Sequence, residues 1–143
     1  WILGQLLRQA SMFWNARVGR ANPWNMQYAF RGHMVVLCDH FTASDGEAFA
    51  EGFRRLNLGK IIGTRTWGGE IWLTGSNRLS DNGAATAGEF GVYAPGPDGQ
   101  HVWIIEGHGV DPDIVVDNLP HATFKGEDAQ LDAAIAHLQA LIK

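Results

Sequence analysis

His33-Met34-Val35-Val36-Leu37-Cys38-Asp39, followed after the link His40 to Ala43 by Ser44-Asp45-Gly46-Glu47-Ala48-Phe49, decides how the chain reads. The first stretch is a short, continuous apolar run rich in β-branched residues. Such a run predicts a strand covered on both faces in a parallel sheet. The second predicts a helix from about Asp45 to Leu56, with Phe49 and Phe53 on one face and Gly59 just past its end as terminator. Lys60-Ile61-Ile62-Gly63-Thr64 supplies a second strand, with Lys60 read as a solvated turn residue at its entrance. Strand, helix and strand at this spacing make a βαβ unit with a right-handed crossover, so the fold class is α/β.

Ser44 to Glu47 has the S-x-x-E form of a capping box, in which serine hydroxyl and glutamate carboxylate satisfy each other's backbone amides. A serine between a buried strand and a helix N-terminus also lies where unpaired amides and the positive helix end collect anionic groups. Those amides can hold an oxyanion. Cap and nucleophile both remain open at this point, and a nucleophile would need a base with something to orient it.

Outward from this unit, Ile2, Leu3, Leu6, Leu7, Ala10, Phe13 and Trp14 recur at helical spacing. They predict a helix over residues 2 to about 16, with its aromatic stripe in the core. A loop around Asn22-Pro23 follows, from Gly19 to Gly32. Beyond the βαβ unit come the glycine loop Thr66 to Glu70 and β-like pieces at Ile71 to Leu73, Phe90 to Tyr93 and Val102 to Ile105, with a turn at Pro95 to Gly99. A strand over Pro112 to Val116 and a helix over Glu127 to Ile142, through Leu131, Ile135, Leu138 and Leu141, close the chain. The 143 residues, with 45% hydrophobic residues, fit one domain, 1–143. The opening Trp1-Ile2-Leu3-Gly4, already inside a helical pattern and lacking an initiator methionine, suggests that upstream sequence is missing.

Several functions are disfavoured by composition. A net charge of −4 without a run of Lys or Arg offers no footprint for a phosphate backbone, so no nucleic-acid partner is expected. No apolar stretch approaches the ~20 residues that span a bilayer. The single cysteine, Cys38, reads as a small core residue. No cofactor and no metal site are expected, and the compartment is left open between cytoplasmic and exported.

Three blocks occur in order: Thr42 to Phe49, Leu58 to Gly69, and Glu106-Gly107-His108-Gly109-Val110-Asp111-Pro112-Asp113. Together with Asn118 to Phe124 they resemble the tricorn branch of the tail-specific, or C-terminal processing, serine peptidases, family S41. The resemblance covers about Arg31 to Asp117 and implies the C-terminal part of a catalytic domain with a crotonase/ClpP-like fold of repeated ββα units. It implies Ser44 as nucleophile, Asp45 as donor of an oxyanion-hole amide, and Glu106 as the carboxylate at the far end of a Ser-His-Ser-Glu tetrad. A peptide or protein substrate follows, as does a homo-oligomeric parent.

Related peptidases activate their serine with a lysine in an F-G-K-G stretch. Here the matching residues are Trp67-Gly68-Gly69-Glu70, which favours a histidine base instead. The tetrad's histidine and its partner serine, and a second oxyanion amide, belong to segments upstream of this chain. None of His33, His40, His101, His108, His121 or His137 stands in a matching context. His40, four residues before Ser44, is the first alternative base. A non-catalytic crotonase-like module binding a peptide or apolar ligand remains the competing function, with an acyl-CoA hydratase or isomerase less supported.

Overall fold

In the computed structural model, residues 1–19, 25–75 and 77–142 are described. The predicted βαβ unit is present as β1 (Met34–Cys38), α2 (Asp45–Arg55) and β2 (Gly59–Gly63), with α1 (Ile2–Leu6) before it. β1 and β2 pair in parallel from Met34↔Gly59 to Cys38↔Gly63. Successive strand residues point to opposite faces, and Ile61 and Ile62 are both fully buried, so β2 is covered on both sides. β1 departs from that expectation at its end, where Cys38 is buried but Leu37 is 40% exposed.

The small antiparallel ribbons form next: β3 (Trp72–Leu73) with β6 (Gly88–Phe90), β4 (Asn77–Arg78) with β5 (Ala84–Ala85), and β7 (Tyr93–Pro95) with β8 (His101–Trp103). The last ribbon is closed by the expected Pro95 to Gly99 turn, in which the Gly96 N–H donates to Gln100 O. β9 (Ile114–Val115) then joins β2 in parallel, giving the sheet order β1-β2-β9. Asp113 seats it: its carboxylate accepts from Ile61 N–H at 2.8 Å, and its own N–H donates to Ile61 O at 2.8 Å.

Lys60 lies within β2 rather than in a turn, and its Nζ reaches the same carboxylate at 3.5 Å. Gly59 is likewise a strand residue. α2 ends instead at Asn57, whose φ is 57°. The N–H groups of Asn57 and Leu58 donate to Arg54 O and Phe53 O, the paired bonds of a Schellman motif.

α3 (Pro120–Phe124), which apolar periodicity did not reveal, precedes α4 (Ala129–Leu141). Asp128 caps α4 by accepting from Leu131 N–H at 2.9 Å. α2 and α4 both pack on the β1–β2 pair, and α1 packs on α2. Cys38, Ala50, Ile61, Ile105 and Val110 form the core cluster between the strands and α2.

Both terminal helices correct the sequence reading. The first stops at Leu6 rather than running to residue 16, and Phe13 forms an isolated bridge with Asn25. Its aromatic residues are not core: Phe13 and Trp14 are about half exposed, with the Arg31 guanidinium 4.4 Å over the Phe13 ring, and Trp1 is exposed. In α4 the buried residues are Gln130 and Ala134, whereas Leu131, Ile135 and Leu141 are exposed. Gln130 turns inward because its amide bonds Val116 O while its N–H bonds Asn118 Oδ1, fastening the helix to the chain after β9. The expected loop at Asn22-Pro23 lies outside the described residues.

Candidate active site

The site grows from the C-terminal edge of the parallel strands. Asp39, the first residue after β1, accepts from the Phe41 and Thr42 N–H groups at 2.9 and 3.1 Å, folding the link into a tight turn. That turn delivers Ser44, which enters α2 with φ 51° and ψ −124°. A non-glycine residue in this region is strained, and a strained strand-to-helix corner is the local geometry that presents a nucleophilic serine. Ser44 and Asp45 are both exposed. The Asp45 N–H, among the first-turn donors of α2, finds no acceptor among the described residues.

The capping box is present, with the Glu47 carboxylate accepting the Ser44 N–H at 3.1 Å. Its reach is wider than a cap requires. Glu47 is fully buried and also accepts from Gly68 N–H at 2.7 Å, from Gly69 N–H at 2.9 Å and from the Thr66 hydroxyl. Burial works to raise the Glu47 pKa, but the bonds from Thr66, Gly69, Gly68 and Ser44 outweigh it and hold the carboxyl below its ordinary value.

Thr66 passes the connection on. Its Oγ accepts from Val110 N–H at 2.7 Å while its own N–H donates to Val110 O. The approach depends on Gly109: its φ is 92°, and a Cβ there would lie 2.5 Å from Thr66 O.

Glu106 lies on this third segment. Ile105 precedes it with φ 73°, and the Glu106 N–H donates back to Ile104 O at 2.9 Å, a strained γ-turn that a buried Ile105 pins in place. One oxygen of the exposed carboxylate accepts from Glu70 and Ile71 N–H at 2.7 and 2.8 Å. Thus Ser44 and Glu106 stand on adjoining loops, joined through Glu47, the Gly68–Gly69 amides and the backbone that follows. Glu106 also borders a groove of about 380 Å³ lined by Ile71, Phe90 and Trp103.

The remaining candidates fall elsewhere. His40 is exposed, with its ring 4.0 Å from that of Phe41. His108 Nε2 meets Asp111 Oδ2 at 2.6 Å, and His101 stacks on Tyr93. Cys38 is buried, and burial followed by the Asp39 charge, against a smaller opposing effect of Arg54, pushes its thiol up to about 11. That is the condition of an inert core thiol. Among the described residues no group of three or more His, Cys, Asp or Glu could hold a metal ion, and no helix is long and apolar enough to cross a membrane.

Glu70 emerges only from the structure. Its Oε2 is buried and has no hydrogen-bond partner among the described residues. Burial first, then the charges of Glu47, Asp45 and Glu106, raise its pKa. A raised pKa means that folding favours the protonated form, so this residue subtracts stability as pH climbs above the ordinary value of 4.5. Glu70→Gln is therefore expected to melt higher than wild type at pH 7, with the gap closing towards pH 4. Thermal melts across that range check it, and a gap independent of pH would refute it.

Fold and site together place a strained, exposed serine at a helix entrance, with a carboxylate on the neighbouring loop. Residues 7–116 match the family model for peptidase family S41, and the chain belongs to that family. It is 34% identical over 134 residues to the tricorn protease of Thermoplasma acidophilum, covering 94% of this chain and 12% of that protein. Tricorn protease homolog 1 of Streptomyces coelicolor is 37% identical over 110 residues, covering 77% of this chain and 10% of that one. The crystal structure of the tricorn protease superposes with a TM-score of 0.80 at 34% identity, over 99% of this chain and 14% of that one. The chain thus spans about an eighth of the relatives' length.

Proposed function

We propose that the protein carrying this chain hydrolyses peptide bonds through an ester on Ser44, with its base a histidine from outside these 143 residues. The observation that carries this reading is the strained, exposed Ser44 beside an Asp45 N–H that has no acceptor among the described residues. The Ser44 hydroxyl attacks the scissile carbonyl carbon as the base takes its proton. The oxyanion is then held by the Asp45 amide and a second amide from outside the chain. Collapse expels the amine, which takes the proton back from the base, and water cleaves the ester by the same route.

Glu106 orients the base through the tetrad's second serine. A crotonase-like arrangement of ββα units accounts for the parallel β1-β2-β9 sheet with the site at its edge. The groove beside Glu106, mostly apolar in its lining, suits one substrate side chain.

The test is a peptidyl phosphonate applied to the full-length protein, with an adduct on Ser44 expected. Peptide binding without an adduct would favour the non-catalytic module. Glu106→Gln is expected to lower kcat by about 10²–10⁴-fold, since the serine that orients the base loses the carboxylate that holds it. Steady-state kinetics decide, and unchanged kcat would remove Glu106 from the tetrad.

A further inference from the structure

We propose that Glu47 is a positioning residue, whose buried carboxylate locks the Ser44 corner, the Thr66–Gly69 loop and the turn after Glu106 into one frame. The proposal rests on the peptidase reading of Ser44 and adds a residue to it.

A carboxylate offers about four lone-pair positions. All four are used here: Oε2 takes Ser44 and Gly69 N–H, and Oε1 takes Gly68 N–H and the Thr66 hydroxyl. A cap would need only the first. The other three donors lie 19 to 22 residues along the chain, on the loop that leads from β2 towards Glu106. No ion pair neutralises the buried charge among the described residues, which leaves those donors and the α2 N-terminus to hold it. Through the Thr66 hydroxyl, which accepts from Val110 N–H, the same carboxylate reaches Val110 on the turn that follows Glu106. Strain at Ser44 and at Ile105 persists only where the surroundings over-determine it, and Glu47 with Thr66 joins both places.

An amide of the same shape cannot substitute. Glutamine keeps one acceptor oxygen but turns its NH2 towards two of the donors, so the Ser44 corner or the glycine loop loses its anchor. A displacement of the nucleophile of order 1 Å costs about 100-fold in rate. Glu47→Gln in the full-length protein should therefore lower kcat and the rate of phosphonate labelling together by about 100-fold, with KM within about threefold of wild type. A cooperative melt establishes that the variant is folded.

If wild type labels on Ser44 and Glu47→Gln matches it in kcat and labelling rate, the positioning role is wrong while the peptidase reading stands. If wild type itself fails to label, both fall. Should Glu47→Gln not fold, Thr66→Val decides instead, because it removes one donor and leaves the charge with three. About a tenfold loss of kcat at constant KM, restored by Thr66→Ser, supports the frame. Wild-type kcat in Thr66→Val overturns it.

Discussion

Ser44→Ala is expected to abolish peptidase turnover and phosphonate labelling, a loss of about 10⁴-fold or more, because nothing else at the corner can form the ester. The fold should survive. Ser44 is exposed, and the Glu47 carboxylate accepts a backbone N–H that alanine keeps. The lost hydroxyl at a helix entrance costs about 0.5–2 kcal/mol. A companion variant separates chemistry from strain. At φ 51° and ψ −124° a Cβ is unfavourable, so Ser44→Gly should be equally inactive yet more stable than Ser44→Ala by about 1 kcal/mol. Denaturant midpoints and kcat on the same preparations read both effects. Turnover retained by Ser44→Ala would remove the nucleophile from Ser44. Equal stability of the two variants would mean that the corner carries no strain.

Much of this was legible in the sequence wherever a local pattern and its tertiary role coincide. Met34 to Cys38 and the strand around Ile61-Ile62 read correctly because a run of apolar residues bounded by polar ones has few other uses. Ser44 was legible as a helix entrance through the S-x-x-E form of Ser44 to Glu47. Periodicity failed where it had to foresee a partner. Leu131, Ile135 and Leu141 make an apolar stripe, yet the hydrogen bonds of Gln130 and the small Ala134 decide which side of α4 meets the strands. The stripe through Phe13 and Trp14 failed likewise, since the chain leaves α1 at Leu6 to pair with Asn25.

Positive φ values were hidden in part. Asn57 ends α2 in a conformation that asparagine tolerates nearly as glycine does, a signal passed over in favour of Gly59, whereas nothing in the residue type of Ile105 announces the turn that aims Glu106. Glu47 was visible as half of a capping box, and nothing local revealed that its carboxylate would serve a loop about 20 residues away. The signal that could have found it was the Gly68-Gly69 pair, whose bare amides call for a buried acceptor. Family membership follows from the three motif blocks taken together and is reached independently through the match over residues 7–116.

The second large effect lies in the sheet. Gly63 is the last residue of β2, the central strand, and its φ is 140°, a conformation open to glycine and costly for any other residue. A Cβ there would stand 1.8 Å from Cys38 O in β1, where no side chain can give way because the obstacle is backbone. The neighbouring bonds are the ones that close the sheet: Thr64 N–H donates to Cys38 O, and Val116 N–H donates to Gly63 O. The same bend sends the chain on towards Thr66, and so towards Glu47. Gly63→Ala therefore carries both a backbone penalty and a clash between the paired strands β1 and β2, together about 3 kcal/mol or more. Against a typical stability of about 5–15 kcal/mol this is a large fraction. The expected result is a lower denaturant midpoint, accompanied by loss of phosphonate labelling as the Thr66 loop shifts away from Glu47. A wild-type midpoint in Gly63→Ala would mean that β2 does not need this bend, and the route by which the sheet positions the site would have to be redrawn.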